Sequence, residues 1–196
     1  MTKHALALAT VAALLATTAC NKDGDHGKNA QPPAAAKIAG DKTISSGLAA
    51  DSKFMASAKA AGLDQTLAGP GPYTVFVPDD AAFTGDAAST DPSNRAQLTG
   101  TITNLILPGT VLVADIDKAI DNGKGKDVIG TMGGGTITAT KEGGKTVLTD
   151  SSGHKATITK GDEMYSNGVV HHIDGLLMPS KDAVANAPKV GDKAGK

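Results

Sequence analysis

Two adjacent histidines and an aspartate late in the chain are the residues whose types and spacing could do chemistry. They lie in the stretch N-G-V-V-H-H-I-D-G-L-L-M-P, residues 167–179. Imidazole and carboxylate groups act as general bases and as zinc ligands, but a zinc site needs three or four convergent ligands. Strand alternation sends His171 and His172 to opposite faces, so the two cannot readily bind one ion. We expect His171 to be a core histidine.

One further arrangement of these residues stays open. His172 and Asp174 share a face of the same predicted strand, and His154 could approach them from a neighbouring strand. A binding site in this region would therefore involve His172 and Asp174. The pattern predicts no metal ion and no cofactor.

The chain shows no arrangement typical of a hydrolase. Such an enzyme needs a nucleophile with a base in hydrogen-bonding reach and a means of stabilising an oxyanion. No G-x-S-x-G turn is present, and the one cysteine, Cys20, lies close to the N-terminus. We therefore expect no enzymatic activity.

Composition favours one domain with an aliphatic core and excludes some partners. The 196 residues are 40% hydrophobic, with three Phe and no Trp, which is adequate for one core. The formal net charge is −1 and no Lys/Arg cluster stands out. Nucleic acid is therefore not an expected partner.

The N-terminus reads as an export signal. Residues 1–19 carry Lys3, then a short apolar run, then small residues before Cys20. This resembles a bacterial lipoprotein signal, although Thr17 stands where such signals usually have an apolar residue. The expectation is transport across the inner membrane and lipidation of Cys20 at the cell envelope. Plain secretion with a free thiol is the alternative.

Residues 20–40 read as a lipid anchor and disordered tether, and residues 181–196 as a disordered tail, because both are rich in Gly, Ala, Lys and Asp. Between them, helical patterns dominate up to about residue 107, except for a strand at 73–77. Alternating strands with glycine turns follow. We also expect a strand at 110–113 and a flexible loop at 123–126. Helices first and antiparallel strands later predict an α+β domain over residues 41–180.

Two stretches together resemble the fasciclin domain family. Residues 74–83, T-V-F-V-P-D-D-A-A-F, match its first signature, and residues 167–179 match its closing signature. The residues that carry the match are Thr74, Phe76, Pro78, Phe83, Asn167, Gly168, His171 and Pro179. The resemblance implies a β-sandwich or wedge with helices packed at one side, and an adhesive rather than enzymatic role. It also implies that His171 is the family's buried histidine.

The chain departs from the family pattern at two places. The family often has a Tyr-His pair where this chain has Asn104 and Leu105. Some animal members use an Asp-Ile pair followed by Met to recognise integrins, and the matching residues here are Asp162, Glu163 and Met164. Asp162 and Met164 remain possible binding residues, although the isoleucine is missing.

These observations predict a membrane-tethered, extracytoplasmic binding module. Its expected partner is a surface protein or a matrix polysaccharide, with the membrane contacted through the lipid anchor. The alternative function is a periplasmic or surface receptor for a small apolar ligand or a metal ion.

Overall fold

A computed structural model describes residues 41–84 and 91–180. The predicted leader, Cys20, the tether and the tail lie outside the described residues. In the part of the chain that is described, no helix is long and apolar enough to cross a bilayer.

Seven strands form one mixed sheet in the order β2-β1-β7-β6-β5-β4-β3. The strands are β1 (Tyr73–Pro78), β2 (Ile106–Pro108), β3 (Lys126–Gly130), β4 (Thr136–Glu142), β5 (Lys145–Asp150), β6 (Lys155–Tyr165) and β7 (Gly168–Ile173). Strands β3 to β7 pair antiparallel along the chain, as the glycine turns between them predict. With the helices described below, the α+β class is confirmed.

The second and third strands of the sheet, β1 and β7, form a parallel pair that the sequence did not predict. β1 lies beside β7, with Tyr73 opposite Gly168 and Phe76 opposite His171. Both strands are buried along almost their whole length, as is usual for parallel strands covered on both faces. The first and last signature stretches are therefore hydrogen-bonded neighbours.

Strand β6 changes register between its two partners. Its first residues pair with β5 and the rest pair with β7, with register shifts between Ile158 and Lys160 and between Lys160 and Glu163. Asp162 lies at the second shift with φ of 59°. Such bulges bend a strand and re-aim its side chains.

Five helices accompany the sheet: α1 (Ile44–Gly47), α2 (Lys53–Ala61), α3 (Asp64–Ala68), α4 (Arg95–Asn104) and α5 (Val113–Asn122). α2 packs on α4, α1 packs on α3, and α5 lies against β3 and β4. A serine before and a glycine after a helical apolar pattern predict the two ends of α2. Both are confirmed, because Ser52 accepts from Met55 N–H and Gly62 ends the helix in the left-handed conformation.

The sequence pattern predicts that Asp79 or Asp80 caps the short helix that follows it, but the acidic pair caps a different helix. Asp79 makes no side-chain cap at the 3₁₀ turn that follows it, Asp80–Ala82. Instead, Asp80 Oδ1 accepts from Lys53 N–H at 2.8 Å. The carboxylate thus lies at the positive end of α2, a contact between residues far apart in the chain.

Two local predictions were wrong. The apolar stripe of α4 does not continue to residue 107, because α4 ends at Asn104 and Ile106–Pro108 pairs with β1. Residues 110–112 form no strand, and Val113 begins α5. In both, contacts with distant segments override the local pattern. The predicted loop at 123–126 is a turn with Lys124 at φ 58°, and Lys126 already belongs to β3.

The parallel pair requires glycine at position 168. A Cβ at Gly168 would clash with the Tyr73 carbonyl oxygen, whereas a Cβ at Gly130 in edge strand β3 meets nothing within 4 Å. Gly168→Ala should therefore lower the free energy of unfolding by about 1–3 kcal/mol. Gly130→Ala, the matched control, should change it by less than about 0.5 kcal/mol. Urea unfolding compares them, and equal effects would contradict this account of β1 and β7.

Candidate functional site

His171 is wholly buried and uses both ring nitrogens inside the fold. Its Nδ1 accepts from Asp162 N–H at 3.0 Å, and its Nε2 donates to the Val111 carbonyl at 2.8 Å. These two bonds require the neutral tautomer with the proton on Nε2. The ring lies beside Phe76, with centroids 5.7 Å apart. The prediction that His171 is a core histidine is confirmed.

Asp162 and Thr74 form hydrogen bonds to residues 109–113, the segment that also contains Val111, the partner of His171. Asp162 Oδ1 accepts from Val113 N–H at 2.9 Å, at the start of α5. Thr74 Oγ1 donates to the Gly109 carbonyl and accepts from Val111 N–H, both at 2.8 Å. Residues 109–113 are therefore connected to the sheet by side chains, which explains their ordered path without a strand.

Asn167 performs the same role at the other end of β7. Its Oδ1 accepts from Ile44 N–H at 2.8 Å. Its Nδ2 donates to the carbonyls of Leu67 and Gly69. One amide thus satisfies backbone groups of α1 and α3, which would otherwise be unpaired at helix ends.

The remaining signature residues are packing residues. Phe76, Pro78, Phe83, Gly168 and Pro179 are all buried. The polar signature residues Thr74, Asn167 and His171 bond to backbone groups, so the signature as a whole builds the fold.

Asn104 and Leu105, the positions where the family often has Tyr-His, are also buried. Asn104 Oδ1 accepts from Thr131 Oγ1 at 3.2 Å, while Nδ2 has no hydrogen-bond partner among the described residues. An internal amide cannot meet a partner protein. These two positions therefore carry no recognition surface here.

His172 belongs to a small polar cluster around Glu163. Glu163 accepts from Lys160 Nζ at 2.5 Å and from Tyr165 Oη at 2.6 Å, and its Oε2 lies 3.3 Å from His172 Nε2. Hydrogen bonding from Lys160, followed by that from Tyr165, lowers the pKa of Glu163 to about 2. Burial raises the pKa of the Tyr165 phenol. The cluster is a partly exposed surface network, with His172 already partnered.

Asp174 and His154 do not join His172. Asp174 Oδ1 accepts from Thr157 N–H at 2.6 Å, and His154 Nδ1 lies 2.7 Å from Asp150 Oδ2. Within residues 41–84 and 91–180, no three His, Cys, Asp or Glu side chains lie together as a metal site would require. The hypothesis of a shared site of His154, His172 and Asp174 is therefore wrong.

Asp150 is the polar residue that sequence reasoning missed. Its side chain is only 1% exposed, whereas that of His154 is 55% exposed. The spacing D-S-S-G-H was a usable signal, because aspartate at the start of a turn bonds the backbone that follows. His154 and Asp174 border a cavity of ≈ 520 Å³. A second cavity, of ≈ 570 Å³, is bordered by Met164 and the backbone around Asn167.

A family model described as Fasciclin domain matches residues 50–179 of this chain. The chain belongs to the fasciclin domain family. This assignment agrees with the positions of both signatures on paired strands, and it confirms the resemblance seen in the sequence.

Individual relatives support the fasciclin assignment. Protein sll1483 of Synechocystis sp. is 30% identical over 133 residues, which cover 65% of this chain and 67% of that protein. Human periostin is 30% identical over 139 residues, covering 69% of this chain but only 15% of periostin.

The fold is that of a solved FAS1 structure. A FAS1 domain pair from the insect cell adhesion molecule Fasciclin I matches with a TM-score of 0.59 and 18% identity, covering 72% of this chain and 52% of that chain. The fasciclin-like wedge is thereby confirmed. Fasciclin domains are known as adhesion modules rather than as enzymes.

The buried state of His171 predicts a pH-dependent stability. Burial lowers the pKa of His171, so the unfolded chain binds the proton more readily than the folded chain does. The contribution of His171 to stability is complete above the ordinary histidine pKa of about 6.5 and is lost as pH falls through its lower folded value.

We therefore expect His171→Ala to lower the free energy of unfolding by about 1–3 kcal/mol at neutral pH. The difference between wild type and His171→Ala should shrink as pH falls from about 7.5 to about 5. His172→Ala controls for the other titrating histidine on β7 and should cost less than about 0.5 kcal/mol at neutral pH. A pH-independent gap between wild type and His171→Ala, measured by urea unfolding, would disprove the tautomer assignment.

Proposed function

We propose that this protein is a membrane-tethered, extracytoplasmic fasciclin module that acts in bacterial cell-surface adhesion or in matrix and biofilm interactions. The observation that carries the proposal is family membership across residues 50–179. The fold that the chain shares with a domain pair of the insect cell adhesion molecule Fasciclin I supports it. The partner would be a surface protein or a matrix polysaccharide, and not a nucleic acid.

The hydrogen bonds of the polar signature residues favour a binding module over an enzyme. The polar signature residues donate to and accept from backbone groups of the same chain, as the bonds of Thr74 and Asn167 show. His171, the one wholly buried histidine of residues 41–84 and 91–180, has both nitrogens engaged. We therefore propose no enzymatic activity.

The alternative, a receptor for a small apolar ligand or a metal ion, has weaker support. The cavity beside His154 has a wall that includes four polar side chains, which does not suit a purely apolar ligand. No cluster of three metal-ligating side chains occurs in the described ranges 41–84 and 91–180.

The proposal of a membrane tether depends on the sequence of residues 1–20. Cys20 follows an apolar segment and small residues, as in bacterial lipoprotein signals. Cys20→Ser should move the protein from the membrane fraction to the soluble fraction, because the acylated thiol is lost. Immunoblots of fractionated cells measure this. Unchanged fractionation would show that Cys20 is not the anchor.

Adhesion is tested by exchanging the folded part while the leader is kept. Cells that carry residues 1–40 fused to an unrelated soluble domain should attach and aggregate less than cells with the full chain. Surface amounts of both proteins are matched by immunoblot. Equal attachment by both strains would refute the adhesive role, whatever the state of Cys20.

A further inference from the structure

The cavity beside His154 has the features of a preformed binding site. It has a volume of ≈ 520 Å³, within the range of small-molecule sites. Its lining combines five apolar or small residues, Ala81, Ala82, Gly175, Leu176 and Met178, with four polar ones, Thr84, Gln97, His154 and Asp174. Six of these residues lie in the two signature stretches, whereas Thr84, Gln97 and His154 lie outside them.

A buried carboxylate orients the histidine. Asp150 accepts from the backbone N–H groups of Ser152, His154 and Met178 at 2.8–2.9 Å, in addition to its contact with the His154 ring. An ionised carboxylate only accepts, so His154 Nδ1 is the donor. The lone pair of the neutral ring is therefore on Nε2. That atom has no hydrogen-bond partner within the described part of the chain.

The part of the wall formed by Asp174, Gly175, Leu176 and Met178 is held by related contacts. Asp150 Oδ2 accepts from Met178 N–H at 2.8 Å, and Asp174 exchanges hydrogen bonds with the Thr157 backbone. Gly175 packs so closely on β6 that a Cβ there would lie 2.6 Å from the Lys155 carbonyl oxygen. The wall and the imidazole are thus positioned before any ligand arrives, which lowers the free energy needed to order a site.

We propose that this cavity binds a neutral, polyhydroxylated ligand, namely a sugar unit of a matrix polysaccharide. This inference rests on the proposed adhesive function and names the ligand class and site for it. The His154 imidazole and the Asp174 carboxylate accept hydrogen bonds from ligand hydroxyls, and Gln97 and Thr84 can both donate and accept. Leu176 and Met178 offer apolar contact to the C–H face of a sugar ring.

The charges of the lining select against other ligand classes. Asp174 repels anions, and the Asp150 carboxylate behind His154 adds negative charge, so uronates and phosphates fit poorly. A metal ion would find His154 and Asp174 but no third His, Cys, Asp or Glu among the described residues. Neutral hydroxyl groups satisfy the acceptors without these penalties.

The test uses the full mature chain labelled with ¹⁵N and titrated with four probes. They are a neutral glucose trimer, a neutral N-acetylglucosamine trimer, a galacturonic acid trimer and zinc chloride. We expect at least one neutral trimer to shift the amide signals of Thr84, Gln97, His154 and Gly175, while the anionic trimer and zinc do not. Shifts by zinc alone or by the anionic trimer alone, or no shifts at millimolar concentration, would overturn the proposal.

Three variants locate the binding. His154→Phe and Asp174→Asn remove one acceptor each and should weaken binding of the active trimer by about tenfold. Ala81→Trp fills the cavity from an exposed position, leaves the Asp150–His154 contact intact and should abolish binding. His172→Gln is the matched control outside the cavity and should bind as wild type does. Thermal melts show that each variant is folded.

The outcomes separate this inference from the adhesive function. If Ala81→Trp binds the trimer as wild type does, the cavity is not the site. If Ala81→Trp loses the trimer but its cells attach to native matrix normally, the sugar site is not the adhesive site and the inference fails, while adhesion stands. Loss of both supports the cavity as the point of attachment.

Discussion

The parallel pairing of β1 with β7 is the interaction on which the rest of the structure depends. It joins residues 73–78 to residues 168–173, nearly one hundred positions apart, and places Phe76 beside His171. β2 extends the sheet from β1, and β6 continues it from β7. Contacts between residues so distant in sequence are entropically costly to form, so they must be strongly specified.

Buried polar side chains supply much of that specification. Thr74, Asn167 and His171 each connect a central strand to a segment that lacks a strand partner of its own. An unpaired buried donor or acceptor is destabilising by about 1–3 kcal/mol, so alternative arrangements that break these bonds are disfavoured. The aliphatic core supplies stability, while the hydrogen bonds of Thr74, Asn167 and His171 select one arrangement of helices around the sheet.

The sequence predicted the local features and missed most of the long-range ones. Strand alternation correctly placed His171 inside, and Ser52 and Gly62 marked the ends of α2, because these signals involve neighbouring residues. Three long-range features could not be predicted, since they depend on which distant segments meet. They are the parallel pair of β1 and β7, the capping of α2 by Asp80, and the hydrogen bond from the start of α5 to Asp162. Family resemblance supplied the fold where local patterns could not.

In the candidate site, too, the sequence indicated residue types but not the contacts between distant residues. The residues that seemed reactive by type, His171 and His172, are engaged inside the fold and in a surface network, respectively. Asp174 and His154 were candidates, but the orientation of His154 depends on its contact with Asp150. Asp150 is buried because residues 174–178 pack on the turn after β5, which the local sequence does not indicate. A turn aspartate has the same sequence pattern whether its carboxylate is exposed or buried.

The contacts at Asn167 also determine how the domain would carry mechanical load. Lys42 accepts from Ser166 N–H and Oγ–H, and the Asn167 amide accepts from Ile44 N–H, so the first described residues are attached at the start of β7. A pulling force applied at residue 41 therefore reaches β7, a largely buried interior strand, without passing through an edge strand. Tension would be shared by the hydrogen bonds along β7 rather than peeling the sheet from its rim.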